Sequence, residues 1–130
     1  MVVAIPKCLE VSIIVQEGLP ALDSDLSILK RILINLIQNA VQAMPNGGKL
    51  TLNAYEEENH IVVAVKDNGV GIPEAIKDKL FTPMFTTKSK GQGFGLVVVK
   101  RLTEALGGAV AFKSQEGKGT TFIVRFPIKK

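Results

Sequence analysis

The chain has 130 residues, 46% of them hydrophobic and 22% charged, which suits one soluble domain with a core and is too short for two. No apolar run approaches the ~20 residues that span a bilayer, and the lone Cys8 excludes a disulfide framework or a cysteine metal cluster within the sequence. The net charge of +4, the absence of Trp and the single Tyr55 argue against a surface that stacks single-stranded nucleic acid.

Met1 to Ile5 is apolar, but Pro6-Lys7 ends the run too soon for a signal peptide. Residues 1–7 read as a linker remnant or an irregular first strand, and a reducing, cytoplasmic setting is expected. From Leu9, the alternation of Leu9, Val11, Ile13 and Val15 with polar neighbours predicts a half-buried strand. Gly18-Leu19-Pro20 turns the chain into a helix expected to open near Asp23 or Ser24, where side-chain oxygens can cap it, and to stop at Pro45-Asn46-Gly47-Gly48. Leu22, Leu26, Leu29, Leu33, Leu36, Ile37, Ala40 and Met44 recur at helical spacing and form its expected apolar stripe. Against that stripe stand Arg31, Asn35 and Asn39, each four residues from the next and so on one face. Asn is a mediocre helix former, so local propensity does not explain two carboxamides there.

Leu50, Leu52 and Ala54 alternate with Thr51, Asn53 and Tyr55 in a second strand, and Glu56-Glu57-Glu58-Asn59 is a polar hairpin connection. Ile61, Val63 and Val65 form a third strand running into Asp67-Asn68-Gly69-Val70-Gly71-Ile72-Pro73. Asn-Gly is a strong hairpin signal, but the following residues do not alternate and Pro73 suits the start of a short helix over Glu74 to Lys79. Residues 80–90 have no period. Gly91-Gln92-Gly93-Phe94-Gly95 then feeds a helix over Leu96 to Leu106, stopped by Gly107-Gly108. Val110 and Phe112 mark a fourth strand, Glu116 to Gly119 a turn, and Phe122, Val124 and Phe126 a closing strand. This order predicts an α/β two-layer sandwich, with helices on one face of a mixed, mostly antiparallel sheet, in one domain over 1–130.

Three features point to a nucleotide. A glycine loop opening a helix lets backbone N–H groups and the helix dipole meet anionic oxygens, although such a loop alone is often only a turn. Lys88, Lys90, Lys100 and Arg101 lie near it, fitting either a compact anion or a solvated face. An amide oxygen suits Mg²⁺, which shares its shell with phosphates and water; Asn39 facing the glycine loop completes such a site, unless the amides merely cap a loop. Asp67 at a strand end can accept a hydrogen bond from an exocyclic amine such as that of adenine, or serve only an Asp-Asn-Gly turn.

Taken together and in order, these segments resemble the ATP-binding catalytic domain of sensor histidine kinases, within the superfamily that includes DNA gyrase and the mismatch-repair ATPases. Asn35-Leu-Ile-Gln-Asn39-Ala is similar to its asparagine box, Asp67-Asn-Gly-Val-Gly71 to its first glycine box and Phe81 to Phe85 to its phenylalanine box. Gly91-Gln-Gly93-Phe-Gly95-Leu96 is similar to its second glycine box, and Gly117-Lys-Gly119-Thr-Thr121-Phe to the strand closing the pocket. The similarity runs from Leu9 to Pro127. Asn39 to Pro45 and Phe85-Thr-Thr-Lys88 further resemble the nitrogen-regulatory branch.

The resemblance implies a Bergerat-type ATP-binding fold with ATP and Mg²⁺ as cofactors. It implies that Asn39 holds Mg²⁺ with Asn35 one turn away, that Asp67 takes the adenine amine backed by Thr121 through water, and that Gly69 and Gly71 wall the base. Lys88, Gly91, Gly93, Gly95 and Leu96 are expected at the phosphates. Phe81, Phe85 and Thr87 are expected at the nucleotide too, within a lid over residues 81–90. Two positions depart from the pattern: Gln92 where threonine is frequent, and Gln42 where a basic residue often contacts phosphate, which leaves more of the phosphate charge to Lys88.

Members that activate water or a hydroxyl place a glutamate where this chain has Asn35, and an amide is no general base near neutral pH. The expected function is therefore transfer of the γ-phosphate to a histidine on a separate dimerisation (histidine-phosphotransfer) domain of the same kinase, for passage to a response-regulator aspartate. No nucleic-acid partner is expected, and the isolated domain is expected to be a monomer. The alternatives are a non-kinase ATP switch, such as an anti-sigma regulator or ATP-driven clamp, and a regulatory nucleotide-binding module without chemistry. His60, at a hairpin, reads as a surface residue rather than the phosphoacceptor, and no catalytic residue is assigned within the chain. Whether a parent protein is membrane-anchored stays open.

Overall fold

The computed structural model describes residues 9–18, 26–81 and 95–128. Five strands form one sheet in the order β1-β2-β3-β5-β4: β1 Leu9–Val15, β2 Gly48–Glu57, β3 His60–Asp67, β4 Ala109–Gln115 and β5 Gly119–Pro127. Only β1 and β2 run parallel; the other three pairings are antiparallel. Helices α1 (Leu26–Gln42) and α2 (Gly95–Ala105) pack on each other and on one face of the sheet, as the pattern predicts. Among the described residues no helix is long and apolar enough to cross a membrane.

The sheet face under the helices is built in cross-strand rows. Ala54, Val63, Val124 and Val110 make one, and Leu52, Val65, Phe122 and Phe112 the next. α1 closes the core with Ile32, Leu36 and Ala40, Met44 joins them just past the helix end, and α2 adds Val99. The fully buried stripe of α1 therefore passes through Ile32, whereas Leu33 is only half-buried. The helix is apolar almost all round at Ile32-Leu33-Ile34, so composition does not fix its rotation there; packing on the sheet does.

Two further departures concern the periphery. β1 forms as expected, but it is an edge strand whose Val11, Ile13 and Val15 remain exposed, because the helices cover β3 and its neighbours rather than the β1 edge. The β2–β3 hairpin turns on two residues, Glu58 (φ 49°) and Asn59 (φ 65°), the left-handed pair that a tight hairpin requires. A glutamate there costs about 1–2 kcal/mol. Local bonds compensate: Arg125 pairs with Glu57 at 3.0 Å and with Glu58 at 3.8 Å, and Asn59 C=O accepts Ile128 N–H at 3.0 Å.

Candidate functional site

The last row on the helix side of the sheet changes character. Leu50 on β2 is followed by Asp67 on β3, Thr120 on β5 and Ser114 on β4, so three polar side chains line up where the hydrophobic rows end. Asp67 and Thr120 are buried, only 3% and 5% exposed. A buried carboxylate must be hydrogen-bonded to be tolerated. Asp67 Oδ1 accepts Gly69 N–H at 2.9 Å, while Ser114 Oγ lies 2.8 Å from Thr120 Oγ1.

The glycine loop after β3 crosses this row and is clamped from both sides. On one side Val70 N–H donates to the Ala43 carbonyl at 3.1 Å, just past the end of α1. On the other, Gly117 N–H donates to Val70 C=O at 2.7 Å and Ile72 N–H to Ser114 Oγ at 2.8 Å. A Cβ at Gly69 would lie 2.3 Å from Ala43 O, and one at Gly71 (φ +74°) 2.2 Å from Gln115 O. Backbone thus crowds both glycines, so their lack of a side chain is already required by the fold. Asn68 makes no hairpin: its Oδ1 accepts Lys49 N–H at 2.8 Å and ties the loop to the start of β2. The expected short helix over Glu74 to Lys79 is a 3-10 turn, anchored by Lys77, which pairs with Glu74 at 2.8 Å and donates to Ser114 C=O at 2.6 Å.

Thr121 requires a correction. Successive strand residues point to opposite faces, and Phe122, Val124 and Phe126 face the helices, so Thr120 shares their face while Thr121 does not. Thr121 stands on the helix-free side between Lys66 and Lys113, its cross-strand partners. At this end of the sheet a shallow cavity of about 300 Å³ is bordered both by Lys66, Lys113, Lys118 and Thr121 and by Asp67, Ser114 and Thr120. The threonine beside Asp67 is Thr120. Counting back in twos from Phe122 finds it in the sequence; Ser114, which looks like an ordinary strand-end serine, offers no such signal.

Asn35 and Asn39 are half-buried, each one residue ahead of the buried Leu36 and Ala40, so they flank the core-facing stripe of α1. Asn39 lies one turn before Ala43 and hence near the clamped glycine loop. Gly95 opens α2, and Leu96 packs against the core. Phe81 is also turned inward: its ring centroid lies 5.9 Å from that of Phe112 and 6.4 Å from that of Phe122, with Lys100 Nζ 6.0 Å away. Its ring packs on the aromatic end of the sheet core. The rest of that lid, with Phe85, Thr87 and Lys88, lies outside the described residues, as do Gly91 and Gly93.

These residues fit a nucleotide. A buried carboxylate at a sheet end, held in place by its own loop, is the kind of acceptor that a base amine requires. Among the described residues no group of three or more His, Cys, Asp or Glu gathers to hold a metal. A single carboxamide such as Asn39 is instead the kind of ligand a cation uses when phosphates and water complete its shell.

Fold and site together define a nucleotide-binding α/β sandwich, and the chain belongs to the family of histidine kinase-, DNA gyrase B- and HSP90-like ATPases, whose profile matches residues 24–130. Its relatives narrow the class to sensor histidine kinases. It is 42% identical to sporulation kinase A of Bacillus subtilis over 108 residues, covering 83% of this chain and 18% of that protein. It is 40% identical to the sensor histidine kinase ZraS of Escherichia coli over 112 residues, covering 86% and 24%. The chain thus spans a quarter or less of the length of these relatives. Among solved structures, the catalytic domain of the histidine kinase ThkA superposes with a TM-score of 0.82 at 32% identity, covering 92% of this chain and 78% of that one. Full-length ShkA in complex with AMPPNP gives 0.80 at 30% identity, covering 92% and 25%.

Proposed function

We propose that this chain is the ATP-binding catalytic domain, over 1–130, of a cytoplasmic sensor-kinase segment. In this reading it binds Mg-ATP and presents the γ-phosphate to a histidine on a separate dimerisation domain of the same protein, for onward transfer to a response regulator. The observation that carries the reading is the buried Asp67 at the end of the sheet, framed by Thr120 and the clamped glycine loop.

Asp67 accepts the adenine amine, and the loop holds the carboxylate at fixed depth. The Asn39 carboxamide oxygen supplies one protein ligand to the Mg²⁺ that accompanies the phosphates, and that ion offsets their negative charge. Asn35 cannot take a proton from water, so the bound nucleotide is protected from hydrolysis until an acceptor arrives in line. His60 cannot be that acceptor. It begins β3 and Asp67 ends it, ~23 Å apart at strand rise, and His60 Nδ1 is engaged with Glu58 C=O at 2.8 Å.

The test uses ATP labelled at the γ-phosphate. The chain alone should bind it, release little phosphate and remain unlabelled, with His60→Ala changing nothing. Adding the helical acceptor domain of its parent should label that domain. Rapid hydrolysis by the chain alone, or label on His60, would overturn the reading in favour of an ATP switch.

A further inference from the structure

We propose that Lys77 is a positioning residue for nucleotide binding: its ammonium fixes the 3-10 turn between the glycine loop and Phe81 against the end of β4, and so holds the loop in its binding form before nucleotide arrives. The inference rests on the nucleotide-binding reading above and concerns a residue that this reading does not place at the nucleotide.

The turn over Glu74–Lys79 has little of its own to keep it in place. So short a 3-10 helix is not stable by itself, none of its residues is buried, and Pro73 before it offers no side-chain cap. Its flanks are better held. Ile72 on one side and Phe81 on the other pack against the core, and Leu80 is buried. Apolar packing is non-directional, so it turns these flanks inward without setting where along the sheet they sit.

Directional bonds set that, and two of them meet on one residue. Ile72 N–H donates to Ser114 Oγ at 2.8 Å, and Lys77 Nζ donates to Ser114 C=O at 2.6 Å. β4 is an outer strand of the sheet, so its end is open to such a contact. The side chain of Lys77 is only 25% exposed, which is uncommon for lysine. Glu74 lies 2.8 Å from it, but that carboxylate is 89% exposed and holds weakly. The charge-assisted bond from ammonium to carbonyl is the stronger tie.

The stretch from Ile72 to Lys77 is thus clasped to Ser114 at both ends, by the side chain at one and by the main chain at the other. Ile72 directly follows Gly71, at the far end of the glycine loop. Loss of the Lys77 bond opens one end of the clasp and weakens the support behind the loop. The free chain then populates the binding form less, and the apparent affinity falls with that fraction.

The test is Lys77→Met on the intact chain, which keeps the apolar stem and removes the ammonium. Dissociation constants for ATP and for ADP, measured with a chelator so that no metal masks the phosphates, should both rise on the order of threefold to tenfold, and by the same factor. Amide exchange over residues 69–76 of the nucleotide-free chain should quicken while that of β2 and β3 stays unchanged. Lys77→Arg, which keeps a cationic donor, should restore both readouts. Glu74→Gln leaves the bond to Ser114 and should shift affinity by less than about twofold. Should Lys77→Met fail to fold, Lys77→Gln, shorter and uncharged, should show the same losses. A larger loss for ATP than for ADP would overturn the proposal and make Lys77 a charge acting on phosphate. Unchanged affinities, or a loss in Glu74→Gln as large as in Lys77→Met, would overturn it too and leave the lysine as a brace of the turn alone. A wild-type chain that binds neither nucleotide would overturn the nucleotide reading beneath it.

Discussion

Gly69 lies close against Ala43: a Cβ on Gly69 would fall 2.3 Å from the Ala43 carbonyl oxygen, which already accepts Val70 N–H at 3.1 Å. The C-terminal end of α1 is therefore one wall of the glycine loop. Gly69→Ala must push that wall or the loop aside, at the ~1–3 kcal/mol typical of overpacking. Thermal unfolding should report the loss without nucleotide present. An unchanged melting temperature would show that the loop relaxes freely.

Asn39→Ala should weaken Mg-ATP binding strongly and metal-free ATP binding little, because it removes an oxygen ligand for the ion while leaving the Asp67 row intact. Calorimetric titrations with Mg²⁺ and with a chelator separate the two. Equal losses would assign Asn39 to packing on α1.

The two neighbouring threonines should behave differently. Thr120→Val removes a hydroxyl buried beside Asp67 and should cost ATP binding ~0.5–1.5 kcal/mol. Thr121→Val lies on the lysine-bearing, helix-free side and should change binding by less than ~0.5 kcal/mol. Asp67→Ala should abolish the preference for ATP over GTP, since guanine presents a carbonyl to the same place. Nucleotide competition measures all three, and a larger effect at Thr121 than at Thr120 would contradict the assignment of faces.

Thr103 on α2 is fully buried, and among the described residues its hydroxyl is the one buried side-chain polar atom without a hydrogen-bond partner. Thr103→Val keeps the shape and removes the unpaired group, so it should raise stability by ~1 kcal/mol or more. Denaturant unfolding tests this directly; destabilisation would mean that the hydroxyl is satisfied by water.

Much of this architecture is legible in the sequence because strand and helix periods rarely conflict here. The 3-10 turn over Glu74–Lys79 follows from Pro73, and the β4–β5 hairpin from its glycines. The burial of Ile32 is less legible than that of Leu36, since three consecutive branched or apolar residues leave the helix rotation open until a sheet is set beneath it. The resemblance points to Thr121, whereas the parity of Phe122, Val124 and Phe126 puts Thr120 on the face of Asp67. Ser114 and the inward turn of Phe81 depend on contacts between distant segments, which no local pattern announces. The exposure of Val11, Ile13 and Val15 is of the same kind, because alternation reveals an apolar face but not whether anything covers it.

The glycine loop leans on Ala43 at one side and on the β4–β5 hairpin at the other, and these supports come from widely separated parts of the chain. A partly folded chain that has formed α1 but not the last hairpin lacks the Gly117 and Ser114 bonds that hold the loop from the other side. Nucleotide should therefore engage only the completed fold. By mass action, ligand at a hundredfold excess over its dissociation constant then adds ~2.7 kcal/mol to the stability of the whole molecule rather than to one element. In a cell, the supply of ATP would act on this domain as a folding chaperone does not: by rewarding only chains whose first helix and last hairpin have already met.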